Sequence, residues 1–132
     1  MSHVWGYAVG LDMTRRDLQG EAKKLGRPWC IGKAFEESAP IGALSPAADC
    51  TIDAATEIRL DVNGKMRQQS QIGKLIWSIP EIIEHLSAAW TLAPGDLIFT
   101  GTPEGVAAVV AGDTLSARID GVGSLQVQVV AG

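Results

Sequence analysis

The chain has 132 residues, of which 46% are hydrophobic and 20% are charged, so a disordered tail, a collagen-like fibre and a charge-driven nucleic-acid arm are excluded. A chain of this length buries roughly two thirds of its unfolded surface on folding, and we expect one domain spanning residues 1–132. The net charge of -4 disfavours electrostatic capture of nucleic acid, which is therefore not an expected partner.

The cysteine content indicates a reducing environment. Cys30 and Cys50 form neither a disulfide framework nor a zinc-ligand spacing. No apolar run approaches the ~20 residues that cross a bilayer, and the first residues lack the basic and apolar regions of a signal peptide. We therefore expect a cytoplasmic protein without a membrane partner.

An apolar strand and a short helix are the first predicted elements. Residues 4–11 form an apolar run that is typical of a buried strand. Thr14 and Asp17 resemble an N-terminal capping pair, which predicts a helix over 15–24. Glycines and prolines then interrupt residues 26–55, which we expect to be loop with short strands.

The middle of the chain predicts a hairpin and a second helix. Residues 57–62 alternate polar and apolar side chains, and the following Asn63-Gly64 favours the positive φ angles of a tight type I′ turn. Ser78 marks the start of the helix, in which apolar residues recur at helical spacing up to Trp90. We expect this helix to lie on the sheet with its apolar stripe inward.

Three further strands are predicted in the last third of the chain. The apolar run 97–100 is expected to be a short buried strand that ends at a glycine-rich turn. Residues 115–119 and 125–129 alternate in the manner of two strands joined by a turn at 120–123. The predicted fold class is α+β, a strand-rich mixed sheet or β-roll with two short helices.

The common catalytic motifs are absent from the sequence, including the nucleophile elbow, the phosphate loop, the dinucleotide fingerprint and the zinc-protease motif. What remains are polar residues at the ends of apolar runs or beside glycines, namely Asp12, Arg16, Asp17, Gln19, Lys33, Thr100 and Thr102. On the pattern alone, a solvated surface explains most of them better than a functional site does.

Four separated blocks of the sequence resemble the fumarylacetoacetate hydrolase family. They are residues 6–19, 28–35, 62–68 and 94–106, and they follow the family's order and spacing over nearly the whole chain. The resemblance is greatest to the acylpyruvase and fumarylpyruvate hydrolase members. It implies the C-terminal domain type of this family and a metal-dependent hydrolase of C–C bonds in acylpyruvates or fumarylpyruvate-like 2,4-dioxo acids. Isomerase and decarboxylase activities are close variants.

The resemblance also implies roles for five residues. Asp12 matches the metal-binding aspartate, with Mg²⁺ or Mn²⁺ as cofactor, and a carboxylate oxygen suits such a hard cation. Lys33 and Gln19 match catalytic residues that stabilise an enolate. Arg16, Gln19, Lys33 and Thr102 match residues that hold the 2-oxo acid substrate. The alternatives are a helix cap for Asp12, a local ion pair for Arg16, a solvated surface position for Lys33 and a turn for Thr102.

The resemblance is incomplete at the metal site. In full-length members three carboxylates hold the metal, two of them in a Glu-x-Glu motif, and a Glu/His pair activates water. Only Asp12 has a counterpart in this sequence, so we expect it to bind metal weakly by itself. Glu37 and residues 70–73 also depart from the family pattern, which leaves the particular substrate open.

Three hypotheses therefore stay open. The chain is the catalytic C-terminal portion of a hydrolase, a truncated non-catalytic remnant or binding module, or one part of an enzyme whose missing carboxylates come from another chain. We also expect a homodimer, because family members form dimers through this region and four tryptophans offer apolar anchors.

Overall fold

Three helices and two antiparallel sheets make up the computed structural model, which describes residues 1–131. In chain order the elements are β1 (Gly6–Tyr7), α1 (Arg16–Lys24), α2 (Cys30–Lys33), β2 (Ser45–Pro46), β3 (Glu57–Val62), β4 (Lys65–Gln71), α3 (Ile79–Ala89), β5 (Thr114–Ile119) and β6 (Gly123–Gln128). β1 pairs with β2, and the other strands form a sheet of order β4-β3-β5-β6. The predicted α+β class is confirmed, with one more short helix than expected.

The predicted hairpin is present between β3 and β4. Asn63 and Gly64 have positive φ angles of 52° and 73°, as a type I′ turn requires. The Asn63 side chain donates to Asp113 Oδ1 at 2.7 Å and accepts from the Thr114 amide at 2.9 Å. These two hydrogen bonds tie the turn to the start of β5. The hairpin and β5 are therefore joined at this end of the sheet by side-chain hydrogen bonds as well as by strand pairing.

The buried core is small. Its hydrophobic members are Val9, Val62, Leu115 and Ala117. The total exposed surface is 9155 Å², although a folded monomer of 13.9 kDa is expected to expose about 6,700 Å². The difference of about 2,500 Å² exceeds the ~800 Å² that one partner contributes to a standard protein interface. Much apolar surface of this chain thus has no partner among residues 1–131.

Helix α3 begins as predicted, but it packs differently. Ser78 and Glu81 form a capping box in which each side chain bonds the other's backbone amide. None of the residues of α3 is buried, so the expectation that its apolar stripe lies inward on the sheet is wrong. The other helices and strands of the described chain do not cover this stripe, which stays partly exposed.

The apolar stretch 97–100 does not form the predicted buried strand. Leu97 is 55% exposed and Phe99 is 43% exposed. Residues 97–109 belong to no helix or strand and make no backbone-to-backbone hydrogen bond within the described chain. Main-chain polar groups need partners when they are buried. This stretch is therefore an open edge, exposed to solvent or to another polypeptide.

Candidate active site

Asp12 lies at the end of an irregular antiparallel ladder between residues 5–13 and 38–47. The Leu11 amide donates to the Pro40 carbonyl at 3.0 Å, and the Met13 amide donates to the Ser38 carbonyl at 2.8 Å. Because both neighbours of Asp12 are hydrogen-bonded, the backbone that carries its carboxylate is held in place. The ladder replaces the longer regular strand predicted over 4–11, of which only β1 forms.

Lys33 reaches the Asp12 carboxylate from the end of α2. Its Nζ atom lies 2.6 Å from Asp12 Oδ2 and donates to Thr14 Oγ1 at 2.9 Å. Helix α2 was not predicted, because its four residues are too few to show helical periodicity. The predicted capping pair of Thr14 and Asp17 is wrong: α1 has no side-chain cap, and the Thr14 hydroxyl bonds Lys33 and the Asp12 carbonyl.

Close contact between α1 and α2 fixes the position of Lys33. The Arg15 amide donates to the Gly32 carbonyl at 3.0 Å. A Cβ atom at Gly32 would lie 3.1 Å from the Gln19 amide nitrogen, which is tighter than ordinary van der Waals contact. A glycine at this position therefore lets the two helices approach and brings Lys33 next to Asp12.

Arg16 and Gln19 lie on the same side of α1, as their spacing of three residues predicts. Arg16 Nη1 donates to Gln19 Oε1 at 3.1 Å. Arg16 forms no ion pair with an acidic side chain in residues 1–131, so the alternative of a local ion pair is not found there. Arg15 points elsewhere, with its guanidinium 4.3 Å from the centre of the Phe35 ring.

Thr102 lies in the loop of residues 101–105 and makes a separate contact. Gln68 Nε2 donates to the Thr102 hydroxyl at 2.9 Å, and no hydrogen bond joins Thr102 to the other candidate residues in the described part of the chain. A Cβ at Gly10 would lie 2.8 Å from the Phe99 ring. The stretch before Thr102 therefore passes next to the stretch before Asp12.

Two residues near the candidate site escaped the sequence interpretation. The sequence pattern predicts a helix cap at Thr14, although its hydroxyl accepts a hydrogen bond from Lys33. Gln68 stands in one of the blocks that carry the family resemblance, but no sequence pattern connects it with Thr102. The resemblance marked the position, and only the fold shows its partner.

The carboxyl groups with clearly shifted pKa values lie on or next to the four-stranded sheet and in the first turn of α3, and none of them lies at this site. A hydrogen-bonded ion pair with Arg59 lowers the pKa of Asp61. The Val110 amide, followed by the Asn63 side chain, lowers the pKa of Asp113. These groups tie strands and turns together and are structural.

The donor set for a metal ion is incomplete in this chain. Among residues 1–131 no three His, Cys, Asp or Glu side chains are grouped to hold a metal. Asp12 offers one carboxylate, which is 51% exposed and paired with Lys33. Mg²⁺ and Mn²⁺ take several oxygen ligands, so the residues of this chain do not by themselves fit a resident metal.

Comparison with known proteins defines the class to which this fold and site belong. The model of the fumarylacetoacetate (FAA) hydrolase C-terminal family matches residues 1–130. The chain therefore belongs to the fumarylacetoacetate hydrolase family, as its four sequence blocks predict. Within the part that the structure describes, no helix has the length and apolar character to cross a membrane.

Individual members of the family resemble this chain over nearly its whole length. The chain is 48% identical over 126 residues to fumarylpyruvate hydrolase from Ralstonia sp, covering 96% of this chain and 65% of the relative. It is 46% identical over 129 residues to mitochondrial oxaloacetate tautomerase from Rattus norvegicus, covering 98% of this chain and 58% of the relative. The chain thus spans less than two thirds of the length of these relatives.

A solved structure confirms the fold. The crystal structure of fumarylpyruvate hydrolase from Pseudomonas aeruginosa, in complex with Mn²⁺ and pyruvate, matches with a TM-score of 0.94 and 56% identity. The match covers 99% of this chain and 56% of that one. The chain therefore has the fold of the C-terminal portion of such enzymes.

Proposed function

We propose that this chain is the substrate-holding C-terminal portion of a divalent-metal-dependent hydrolase. Its substrates are acylpyruvates or fumarylpyruvate-like 2,4-dioxo acids, which it cleaves at a C–C bond. The observation that carries the proposal is the fixed Asp12–Lys33 pair, in which Nζ lies 2.6 Å from Oδ2. Fumarylpyruvate hydrolase is among the relatives, and the related structure with Mn²⁺ and pyruvate supports a metal and a 2-oxo acid ligand. An isomerase or decarboxylase acting on the same substrates is the nearest variant.

Lys33 is the group that stabilises developing negative charge in this proposal. Cleavage of the C–C bond leaves electrons on the pyruvate part as an enolate, and a fixed positive charge near its oxygen lowers the barrier. The ammonium is already held by Asp12 and Thr14, so little reorganisation is needed when the substrate arrives.

Arg16 and Gln19 act as a pair in this proposal. Arg16 occupies the amide oxygen of Gln19, which turns the Gln19 NH₂ group outward as a donor to the enolate oxygen. Arg16 uses one of its five N–H donors in this contact and keeps the others for the substrate carboxylate. The Thr102 hydroxyl is the second group assigned to that carboxylate.

Metal binding requires ligands from elsewhere. When Mg²⁺ or Mn²⁺ is bound, it would supply Lewis-acid polarisation of substrate oxygens. Asp12 would be one ligand, and the remaining ones belong to polypeptide that this sequence does not contain.

The test is the Mg²⁺-dependent loss of enol absorbance from acetylpyruvate. We expect none from the chain alone, and turnover when the N-terminal part of the Ralstonia relative is added. Lys33→Met should abolish this turnover, whereas Lys65→Met, a change next to the hairpin turn at the start of β4, should not. Absence of turnover in both samples contradicts the proposal.

A two-part enzyme is the form of this proposal that the exposed surface supports. A second polypeptide would cover the open edge at 97–109 and supply the missing carboxylates. Co-purification with such a polypeptide tests this form of the proposal.

The alternative of a non-catalytic remnant predicts instead that calorimetry detects no metal binding and no effect of Asp12→Ala. A homodimer and a cytoplasmic location remain proposals, which sedimentation and cell fractionation test.

A further inference from the structure

Gln68 belongs to a sequence block whose role the proposed function leaves unexplained. Its side chain extends from β4 to the loop 101–105, where Nε2 donates to Thr102 Oγ1 at 2.9 Å and to the Pro103 carbonyl oxygen at 2.7 Å. We propose that Gln68 is a positioning residue that aims the Thr102 hydroxyl at the substrate carboxylate. This inference rests on the proposed function, because it takes Thr102 as a residue that binds that carboxylate.

The orientation of the Gln68 amide follows from the chemistry of its partners. The Pro103 carbonyl oxygen carries no proton, so the Gln68 atom that faces it must belong to the NH₂ group and not to the amide oxygen. The second N–H of the same group reaches Thr102. A flipped amide would place its oxygen against the Pro103 oxygen, so the observed orientation is the favourable one.

The consequence for Thr102 concerns its hydroxyl proton. A hydroxyl donates one hydrogen bond and can accept two. Because Gln68 occupies an acceptor position of Oγ1, the proton points away from Gln68. No other hydrogen bond to this hydroxyl is found in residues 1–131, so the proton is available to another acceptor. A carboxylate oxygen of a 2-oxo acid is an acceptor of the right chemistry.

A second contact holds the loop close to β4. Gly105 has a φ of +97°, and a Cβ there would lie 2.2 Å from the Arg67 carbonyl oxygen. The loop therefore approaches β4 closely enough to exclude any side chain at Gly105. Pro103 stiffens the loop further by fixing its own φ. The Arg67 main chain and the Gln68 side chain, which are neighbours on β4, thus both hold the loop that carries Thr102.

The test compares two neutral substitutions of similar size. Gln68→Met removes both donated hydrogen bonds without adding charge. Gln71→Met makes the same change at the end of the same strand, where the side chain is exposed and makes no hydrogen bond within the described chain. Pyruvate is the probe, in the presence of Mn²⁺ and of the N-terminal part of the Ralstonia relative. We expect Gln68→Met to raise the Kd for pyruvate about 10- to 150-fold, the effect of a lost or misdirected hydrogen bond to a charged group.

Two further measurements separate positioning from general destabilisation. The Kd for Mn²⁺ without pyruvate should stay within about twofold of the wild-type value. In a double-mutant cycle with Thr102→Val, the double variant should bind pyruvate no more weakly than Thr102→Val alone, because Gln68 acts through that hydroxyl. Additive losses, or an unchanged pyruvate affinity of Gln68→Met, overturn the inference.

A measurement without ligand tests the role of Gln68 independently of pyruvate binding. The {¹H}-¹⁵N NOE values of the Glu104 and Gly105 amides should fall in Gln68→Met and stay at the wild-type level in Gln71→Met. An equally ordered loop in both variants overturns the inference. If the wild-type chain, mixed with the N-terminal part of the Ralstonia relative, binds no pyruvate, the proposed function fails, while the NOE values still decide whether Gln68 orders the loop.

Discussion

The ion pair between Lys33 and Asp12 predicts that one substitution has opposite effects on two ligands. Nζ lies 2.6 Å from Oδ2, so a metal ion that binds the Asp12 carboxylate competes with the ammonium group for its negative charge. Lys33→Met keeps most of the side-chain length and removes the charge. We therefore expect this variant to bind Mn²⁺ more tightly and pyruvate more weakly than the wild-type chain.

Solvent exposure sets the magnitude. Two unit charges about 4 Å apart attract each other by about 4 kcal/mol at an effective dielectric constant of 20. The Lys33 and Asp12 side chains are 31% and 51% exposed, so the value for exposed pairs, about 0.2–1 kcal/mol, applies instead. Loss of this competition should lower the Kd for Mn²⁺ about 1.4- to 5-fold. Loss of a charged contact to pyruvate should raise its Kd at least about tenfold.

Electron paramagnetic resonance of free Mn²⁺ measures the first effect, and calorimetry with pyruvate measures the second. Lys65→Met is the control, since it removes the same charge from β4, where Lys65 forms no ion pair in the described residues. Asp12→Asn should abolish the Mn²⁺ binding. A Mn²⁺ affinity that is unchanged or lower in Lys33→Met, with Lys65→Met at the wild-type value, refutes the competition between the metal and the ammonium.

Three further predictions concern stability and surface. The Gln69 side chain, aided by Arg118, lowers the pKa of Glu57 in the folded protein. Ionised Glu57 therefore stabilises the fold fully above its unfolded-state pKa of about 4.3, and this stabilisation is lost as the pH falls through the folded-state pKa. The urea midpoint followed by circular dichroism should therefore drop between about pH 5 and pH 3, and a constant midpoint contradicts this. Gly64→Ala should destabilise the hairpin by about 1 kcal/mol, because residue 64 has a positive φ. Gly20→Ala inside α1 should stabilise the protein by about 0.4–1 kcal/mol, because a Cβ there meets open space. Equal urea midpoints for the two variants contradict this prediction. All four tryptophans are 45–67% exposed, so iodide should quench their fluorescence. The N-terminal part of the Ralstonia relative should reduce this quenching if it covers the exposed tryptophans. Unaltered quenching in a catalytically active mixture contradicts the idea that the added part covers them.

Local signals predicted the elements that depend on only a few residues. The Asn63-Gly64 turn needs positive φ angles that this dipeptide adopts readily, and the Ser78–Glu81 capping box involves one helical turn. The stretch 97–100 shows the limit of such signals. Its composition favours a strand, but strand preference reflects packing against neighbours, and the described chain offers no neighbour for pairing.

The candidate site was predictable in its residues and not in its geometry. The spacing of Arg16 and Gln19 gave their common helix face, because that is a property of one element. The family resemblance gave Asp12 and Lys33, but their contact depends on the ladder at residue 12 and on the approach of α2 to α1. The Thr14 hydroxyl was misassigned because threonine can bond a helix end or a distant side chain equally well.

The open edge lies next to the incomplete metal site. The Phe99 ring lies against Gly10, which places the unpaired stretch 97–100 beside the ladder that carries Asp12. A strand that pairs with this stretch would therefore run close to the Asp12 carboxylate. Side chains on such a strand alternate between its two faces, so the two carboxylates of the Glu-x-Glu motif that the family resemblance implies would both point to the same face. A single added segment could thus satisfy the free backbone groups and also supply the ligands that Asp12 lacks.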